Sequence, residues 1–292
     1  MLYTVSNGKY TAQVDSTGAQ LVSLKGPDGF EYVWTGDPAY WKGHAPVLFP
    51  IVGGLRDNKA LLEGRWVEMG RHGFARHQEF SPAEQGEGLL SLELTPNQET
   101  EKCYPFRFAF TVTYALTETG YTTTFTVENR GDRPMPFVVG GHPGFNVPVD
   151  EQAAFEDYVI RFEQEETQRC PVIRLDTCLL DPTQTAFEMT AQKEIPLRHD
   201  LFYQDALVFE GLNSSTVAVV NPSTGKGVEM DFSQFPLLGI WSCVNDGPYV
   251  CLEPWTGCAT QTTEGDTFEE KKGMELLPAG EKRSYSFQVR FL

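Results

Sequence analysis

No stretch of about 18 apolar residues occurs in the chain, which argues against a transmembrane helix. Positive charge is also scarce. Lys and Arg number 23 against 40 Asp and Glu, for a formal net charge of −17 and a pI near 4.7. That field repels polyanions, so nucleic acid and anionic membrane surfaces are poor partners, whereas a neutral substrate tolerates it. The first residues, Met1–Gly8, lack the basic and apolar segments of a secretion signal, so a cytoplasmic protein is expected. The 6 cysteines (103, 170, 178, 243, 251 and 258) contain no Cys-x-x-Cys pair and no zinc-type spacing. They read as reduced thiols, several of them small core residues. No P-loop, strand–helix dinucleotide fingerprint, His-Glu-x-x-His or Gly-x-Ser-x-Gly is present.

What is present is a period of two. In Arg107–Thr117, Phe108, Phe110, Val112, Tyr114 and Leu116 alternate with small or polar residues. After Glu118-Thr119-Gly120, the residues Tyr121, Thr123, Phe125 and Val127 resume the alternation, which predicts a long antiparallel hairpin. Leu90, Leu92 and Leu94, and Tyr285, Phe287, Val289 and Phe291, repeat the pattern. Helical signals are confined to Asn97–Cys103, with a turn at Asp37–Tyr40. The acid-rich Glu151–Glu166 still carries Phe155, Tyr158, Ile160 and Phe162, and reads as a strand with a solvated face. With 27 Gly and 19 Pro spaced between short strands, the expectation is all-β: one antiparallel β-sandwich over residues 1–292, without linker or repeat. The 292 residues permit two domains by length, but the unbroken strand pattern favours one. No heptad or apolar stripe identifies an oligomer interface, and oligomeric state stays open.

A few polar residues occupy conspicuous settings. His142 follows the apolar run Phe137-Val138-Val139 within Gly140-Gly141-His142-Pro143-Gly144, and His72 lies in Gly70-Arg71-His72-Gly73-Phe74-Ala75-Arg76. Glycine on either side lets the backbone approach a ligand closely. Either residue is equally readable as a satisfied turn histidine; His44, His77 and His199 read as structural. Glu253 ends the apolar stretch Tyr249–Leu252 just before Pro254 and Trp255. A half-buried carboxylate beside aromatics suits a general base, the plain alternative being an edge-strand acid in water. Asp205 opens the run Ala206–Phe209 and reads by itself as a turn residue. Arg56 and Arg76 offer guanidinium donors or are simple surface charges. Trp41, Phe74, Phe145, Trp241 and Trp255 lie near these segments, as sugar-stacking faces or as core.

Taken in order, Ala45-Pro46-Val47-Leu48-Phe49-Pro50-Ile51-Val52-Gly53, His72-Gly73-Phe74-Ala75-Arg76, Gly141-His142-Pro143-Gly144-Phe145, Asp205-Ala206-Leu207-Val208-Phe209, Phe235–Trp241 and Cys251-Leu252-Glu253-Pro254-Trp255 resemble the aldose 1-epimerase (galactose mutarotase-like) family. The likeness is strongest to its LacX-like bacterial branch. The resemblance implies a large antiparallel β-supersandwich and a small-molecule sugar as partner, with no metal or redox cofactor. By position, Glu253 resembles the general base and His142 the general acid. His72 resembles the second histidine, which orients the sugar, and Asp205 the carboxylate that binds its hydroxyls. Arg56 or Arg76 stands for the arginine contact, since this chain has Gly54 where the branch carries arginine. The implied reaction is anomer interconversion of a free aldohexose. Its alternatives are epimerisation of a hexose 6-phosphate, or sugar binding without catalysis.

Overall fold

Phe108–Leu116 and Gly120–Asn129 form the hairpin that their alternation predicts, with Val112 opposite Phe125 and Phe110 opposite Val127 in the computed structural model, which describes residues 1–150 and 152–292. Phe110, Val112, Phe125 and Val127 are buried, and Thr111, Thr113, Thr124 and Thr126 are half-buried on the other face. Burying a side chain of this size contributes about 1.5–3 kcal/mol, which fixes the register because a one-residue slip would expose the whole row. Phe110 stacks on Phe49, ring centroids 4.6 Å apart, and tilts against Phe125.

The hairpin lies in the interior of a 9-stranded antiparallel sheet among the described residues. Lys282–Phe291 pairs with Gly120–Asn129, then Gly227–Asp231, Thr216–Val220, Val159–Ile173 and Leu180–Pro196 follow outward; Leu89–Leu94 and Ser81–Gly86 extend the other side. A second sheet of 6 strands runs Leu207–Glu210, Leu237–Trp241, Tyr249–Trp255, Gly140–Gly141 and Val47–Leu48, with Gly144–Asn146 also on Tyr249–Trp255. Phe209, Leu238, Ile240, Val250 and Leu252 belong to the main core, together with residues of the larger sheet. The alternate residues Val208, Trp241, Cys251, Glu253 and Trp255 therefore lie on the face turned away from that core. With 49% strand and 7% helix, the architecture is the all-β antiparallel supersandwich expected. No helix among the described residues is long and apolar enough to cross a membrane.

Three local expectations shift. The helix is shorter than Asn97–Cys103: it spans Thr100–Cys103, after a turn in which Asn97 Oδ1 accepts the Glu99 and Thr100 N–H groups. Within Glu151–Glu166, Glu151 lies outside the described residues and Phe155–Asp157 is a short 3₁₀ turn before the strand starts at Val159. Glu166 is not on a solvated face. It shares the parity of the buried Ile160 and Phe162, and the buried Glu166 carboxylate accepts from Asn213 N, Ser214 N and Ser214 Oγ. The cysteines are all free thiols, four of them buried.

Candidate active site

The outward face of the second sheet carries a cavity of about 160 Å³ lined by Trp41, Arg71, His72, Arg76, His142, Asp205, Ala206, Trp241, Glu253 and Trp255. Each polar member arrives by a different piece of backbone. Gly140 pairs with Leu48 on one side and Trp255 on the other, leaving His142 at the mouth of this narrow strand, its N–H bonded to Pro46 O at 3.0 Å. A Cβ at Gly140 would sit 2.6 Å from the Trp255 ring, so only glycine lets the strand approach so closely. Glu253 projects from the adjoining strand, opposite Gly239. His142 Nε2 and Glu253 Oε2 come within 3.3 Å, and the Glu253 side chain is 2% exposed. Glu253 Oε2 and His142 Nδ1 have no hydrogen-bond partner.

His72 is held by reciprocal bonds to Gly53: its N–H donates to Gly53 O at 2.8 Å, and Gly53 N–H donates to His72 Nδ1 at 3.1 Å. The second bond fixes the tautomer, leaving the proton on Nε2. The turn needs a left-handed backbone at both His72 (φ 69°) and Gly73 (φ 73°), and a Cβ at Gly73 would meet Phe49 O at 2.3 Å. A non-glycine residue rarely adopts such a φ, so the His72 conformation is imposed by its surroundings. Asp205, also left-handed (φ 75°), ends a turn closed onto Phe202 O. Its carboxylate receives the Arg71 guanidinium as a fork, Nη2 to Oδ1 at 3.0 Å and Nη1 to Oδ2 at 3.1 Å, as well as the Ala206 N–H.

Aromatic rings wall the pair. Trp41 stacks on His142 with centroids 5.0 Å apart, and Trp241 meets it edge-on at 5.4 Å. Burial pushes the Glu253 carboxyl well above the usual carboxylate range, against the opposing pull of Arg71. Burial, reinforced by Arg71, pushes His142 down to about 3 and His72 well below the ordinary imidazole value. Burial acts against the Arg71 charge, but Asp205 overrides it and holds the guanidinium more firmly protonated. Burial therefore biases both groups towards their uncharged forms, a protonated carboxyl beside a neutral imidazole.

Of the sequence candidates, Glu253, His142, His72, Asp205 and Arg76 are brought together here. Arg56 is not. Its Nε bonds Asp266 at 3.0 Å and its Nη2 bonds the carbonyls of Glu264 and Gln261 at 2.8 and 3.3 Å, so it ties down that loop at a separate surface beside Trp66. Arg76 is the one of those two arginine candidates that lines the cavity, and Arg71 lines it as well. Arg71 was missed as a site residue. Its signal was its position beside His72, but the pairing with Asp205, 134 residues away, has no local signature. Trp41, Trp241 and Trp255 face the cavity, whereas Phe74 and Phe145 fill the main core. His44, His77 and His199 lie outside the cavity lining; His199 stacks on Phe155.

An antiparallel β-supersandwich with a buried histidine–glutamate couple beside an arginine-clamped aspartate defines the class of protein. The chain belongs to the aldose 1-epimerase family, whose model matches residues 1–290. It is similar to the plasmid and chromosomal forms of protein LacX from Lactococcus lactis subsp. lactis, each 36% identical over 297 residues covering 99% of this chain and 99% of the relative. Among solved structures it is similar to a galactose mutarotase related enzyme from Lactobacillus acidophilus, with 33% identity and a TM-score of 0.93 over 100% of this chain and 97% of that one. A galactose mutarotase-like protein from Lactobacillus casei ATCC 334 gives 30% identity and a TM-score of 0.90, covering both chains fully (100% and 100%).

Proposed function

We propose that this protein interconverts the α and β anomers of a free aldohexose, with residues 1–292 acting as one catalytic domain. The observation that carries the reading is the 3.3 Å approach of His142 Nε2 to Glu253 Oε2 in a tryptophan-walled cavity. Glu253 takes the proton of the anomeric C1 hydroxyl while His142, as imidazolium, protonates the ring oxygen O5. The C1–O5 bond breaks, C1 becomes an aldehyde, and rotation about C1–C2 presents its other face for closure. The starting ion pair and the neutral couple differ only in which group holds the transferable proton. Bringing sugar hydroxyls against Glu253 therefore needs only a proton shift across the couple, without exchange with solvent. Ring opening returns the couple to its neutral form, the direction that burial favours.

The other groups orient the sugar. His72 donates from Nε2 as a neutral imidazole. The Asp205 oxygens accept hydroxyl protons, their orientation fixed by Arg71, whose buried Nε remains an unpartnered donor. Trp41, Trp241 and Trp255 offer apolar faces. No metal or redox cofactor enters these steps. Each positioned acid or base typically gives about 10²–10⁴-fold, enough for a reaction that proceeds slowly in water. Glu253→Gln is expected to abolish accelerated mutarotation in polarimetry of freshly dissolved α-glucose or α-galactose; an unchanged rate refutes the role of Glu253.

One observation favours a second reading, a hexose 6-phosphate as substrate. Among the described residues no carboxylate pairs with Arg76; its Nε donates to His77, and Arg71 beside it depresses its pKa, after burial. An uncompensated cation at the cavity suits an anionic substituent. Rates on glucose and glucose 6-phosphate, with Arg76→Met as control, separate the two. Calorimetric sugar binding without any rate enhancement would favour a binding protein instead.

A further inference from the structure

Cys251 has no part in the sugar chemistry, yet it lies in the same place. Strand alternation puts it on the same face as Glu253, two residues on, and its pairing with Gly144 brings the His142 segment alongside. Among the described residues, His142, Cys251 and Glu253 form a set whose possible ligand atoms all lie within 4.8 Å of one another. Cys251 and Glu253 are fully buried and His142 largely so. The carboxylate Oε2 is without a partner although its side chain is 2% exposed.

We propose that these three side chains form a binding site for a thiophilic divalent cation of the zinc type, and that the bound ion switches the acid–base couple off. The donor set is one nitrogen, one sulfur and one oxygen, all common zinc ligands. Zinc bonds of about 2.0–2.3 Å in a tetrahedron set ligand atoms roughly 3.3–3.8 Å apart. The His142–Glu253 separation of 3.3 Å already meets that edge, and the remaining separations, within 4.8 Å, need to close by at most about 1–1.5 Å. His142 and Glu253 both line the sugar cavity, the side from which a fourth ligand would come. Calcium and magnesium are disfavoured, because they require six or more oxygen ligands and make poor use of a thiol. Binding replaces the Cys251 thiol proton and the Glu253 carboxyl proton by the metal, both protons leaving to solvent. The Glu253 oxygen and the imidazole lone pair are then committed to the ion and unavailable for proton transfer.

Switching off rests on the proposed anomerase activity; binding does not. Cobalt(II) titrated into the full chain is expected to give a near-ultraviolet thiolate-to-cobalt charge-transfer band at one ion per chain. Zinc, followed by calorimetry, is expected to bind at the same stoichiometry. Cys251→Ser is expected to lose the band and to weaken zinc binding at least tenfold, while its metal-free mutarotation persists and becomes at least tenfold less sensitive to zinc. A band and an affinity that survive in Cys251→Ser overturn the site. Zinc bound through Cys251 with undiminished mutarotation overturns the switch. Should the protein prove inactive on every sugar, the cobalt and calorimetric results still decide the site alone.

Discussion

Replacing Glu253 by glutamine has a stability consequence as definite as its kinetic one. The native carboxyl is held protonated by burial, whereas the unfolded one ionises near pH 4.5. Above that pH the native state holds a proton that the unfolded state has released. Wild-type stability from this group is therefore full below about pH 4.5 and declines as pH rises, until the native carboxyl itself ionises. The slope is one proton, about 1.4 kcal/mol per pH unit. Glutamine has nearly the shape of the protonated acid and cannot ionise, so Glu253→Gln removes this slope and little else. Urea unfolding of both proteins from pH 4 to 9 should give curves that diverge from about pH 4.5 upward. The variant should gain on wild type by about 1.4 kcal/mol for each unit, and the pH at which divergence stops reports the native Glu253 pKa. Titrating groups remote from Glu253 are common to both and cancel in the difference, which leaves His142, 3.3 Å away, as the neighbour whose own titration the substitution shifts. The mutant would be the more stable and the less active protein, a trade between stability and function that active sites commonly make. Curves that stay parallel across the range would refute the claim that burial keeps this carboxyl protonated.

Further consequences follow from neighbouring groups. His142 has the opposite sign: its native pKa of about 3 lies below the unfolded 6.5, so its contribution is full above pH 6.5 and lost as pH falls towards 3. His142→Asn should flatten the acid limb of the stability curve by about 1.4 kcal/mol per unit below pH 6.5 and lower turnover in polarimetry. Arg71→Met should raise both the His142 and His72 pKa values in imidazole NMR titrations and raise KM. With Arg71 37% and Asp205 13% exposed, the lost pair lies between exposed and buried cases and should cost about 1–3 kcal/mol in denaturant melts. Glu166→Ala should cost about 1–3 kcal/mol by orphaning the Ser214 and Asn213 donors, with mutarotation unchanged. Arg56→Met should loosen the 261–266 loop, seen as faster amide exchange there, without altering KM.

The sheet architecture was legible because burial on one face writes a period of two, and the Phe108–Asn129 hairpin follows it residue by residue. The segments around Glu253, His142 and His72 were legible through their glycines and their order along the chain. Features set by long-range partners were not. Nothing near Arg56 announces that the loop carbonyls of Gln261 and Glu264 will capture it. Nothing near Arg71 announces Asp205. Glu166 reads as a surface acid because its burial depends on donors from Asn213 and Ser214, more than 40 residues on.

The strand Tyr249–Trp255 interleaves two independent vocabularies. Val250 and Leu252 answer to the core, while Glu253 and Trp255 answer to the cavity. Substitutions at one set can be varied for stability while the other is held for chemistry, since adjacent side chains share no environment. The same arrangement makes the strand intolerant of length change. A single inserted or deleted residue would drive the carboxylate into the phenylalanine core and turn leucine towards the sugar, so fold and activity would fail together.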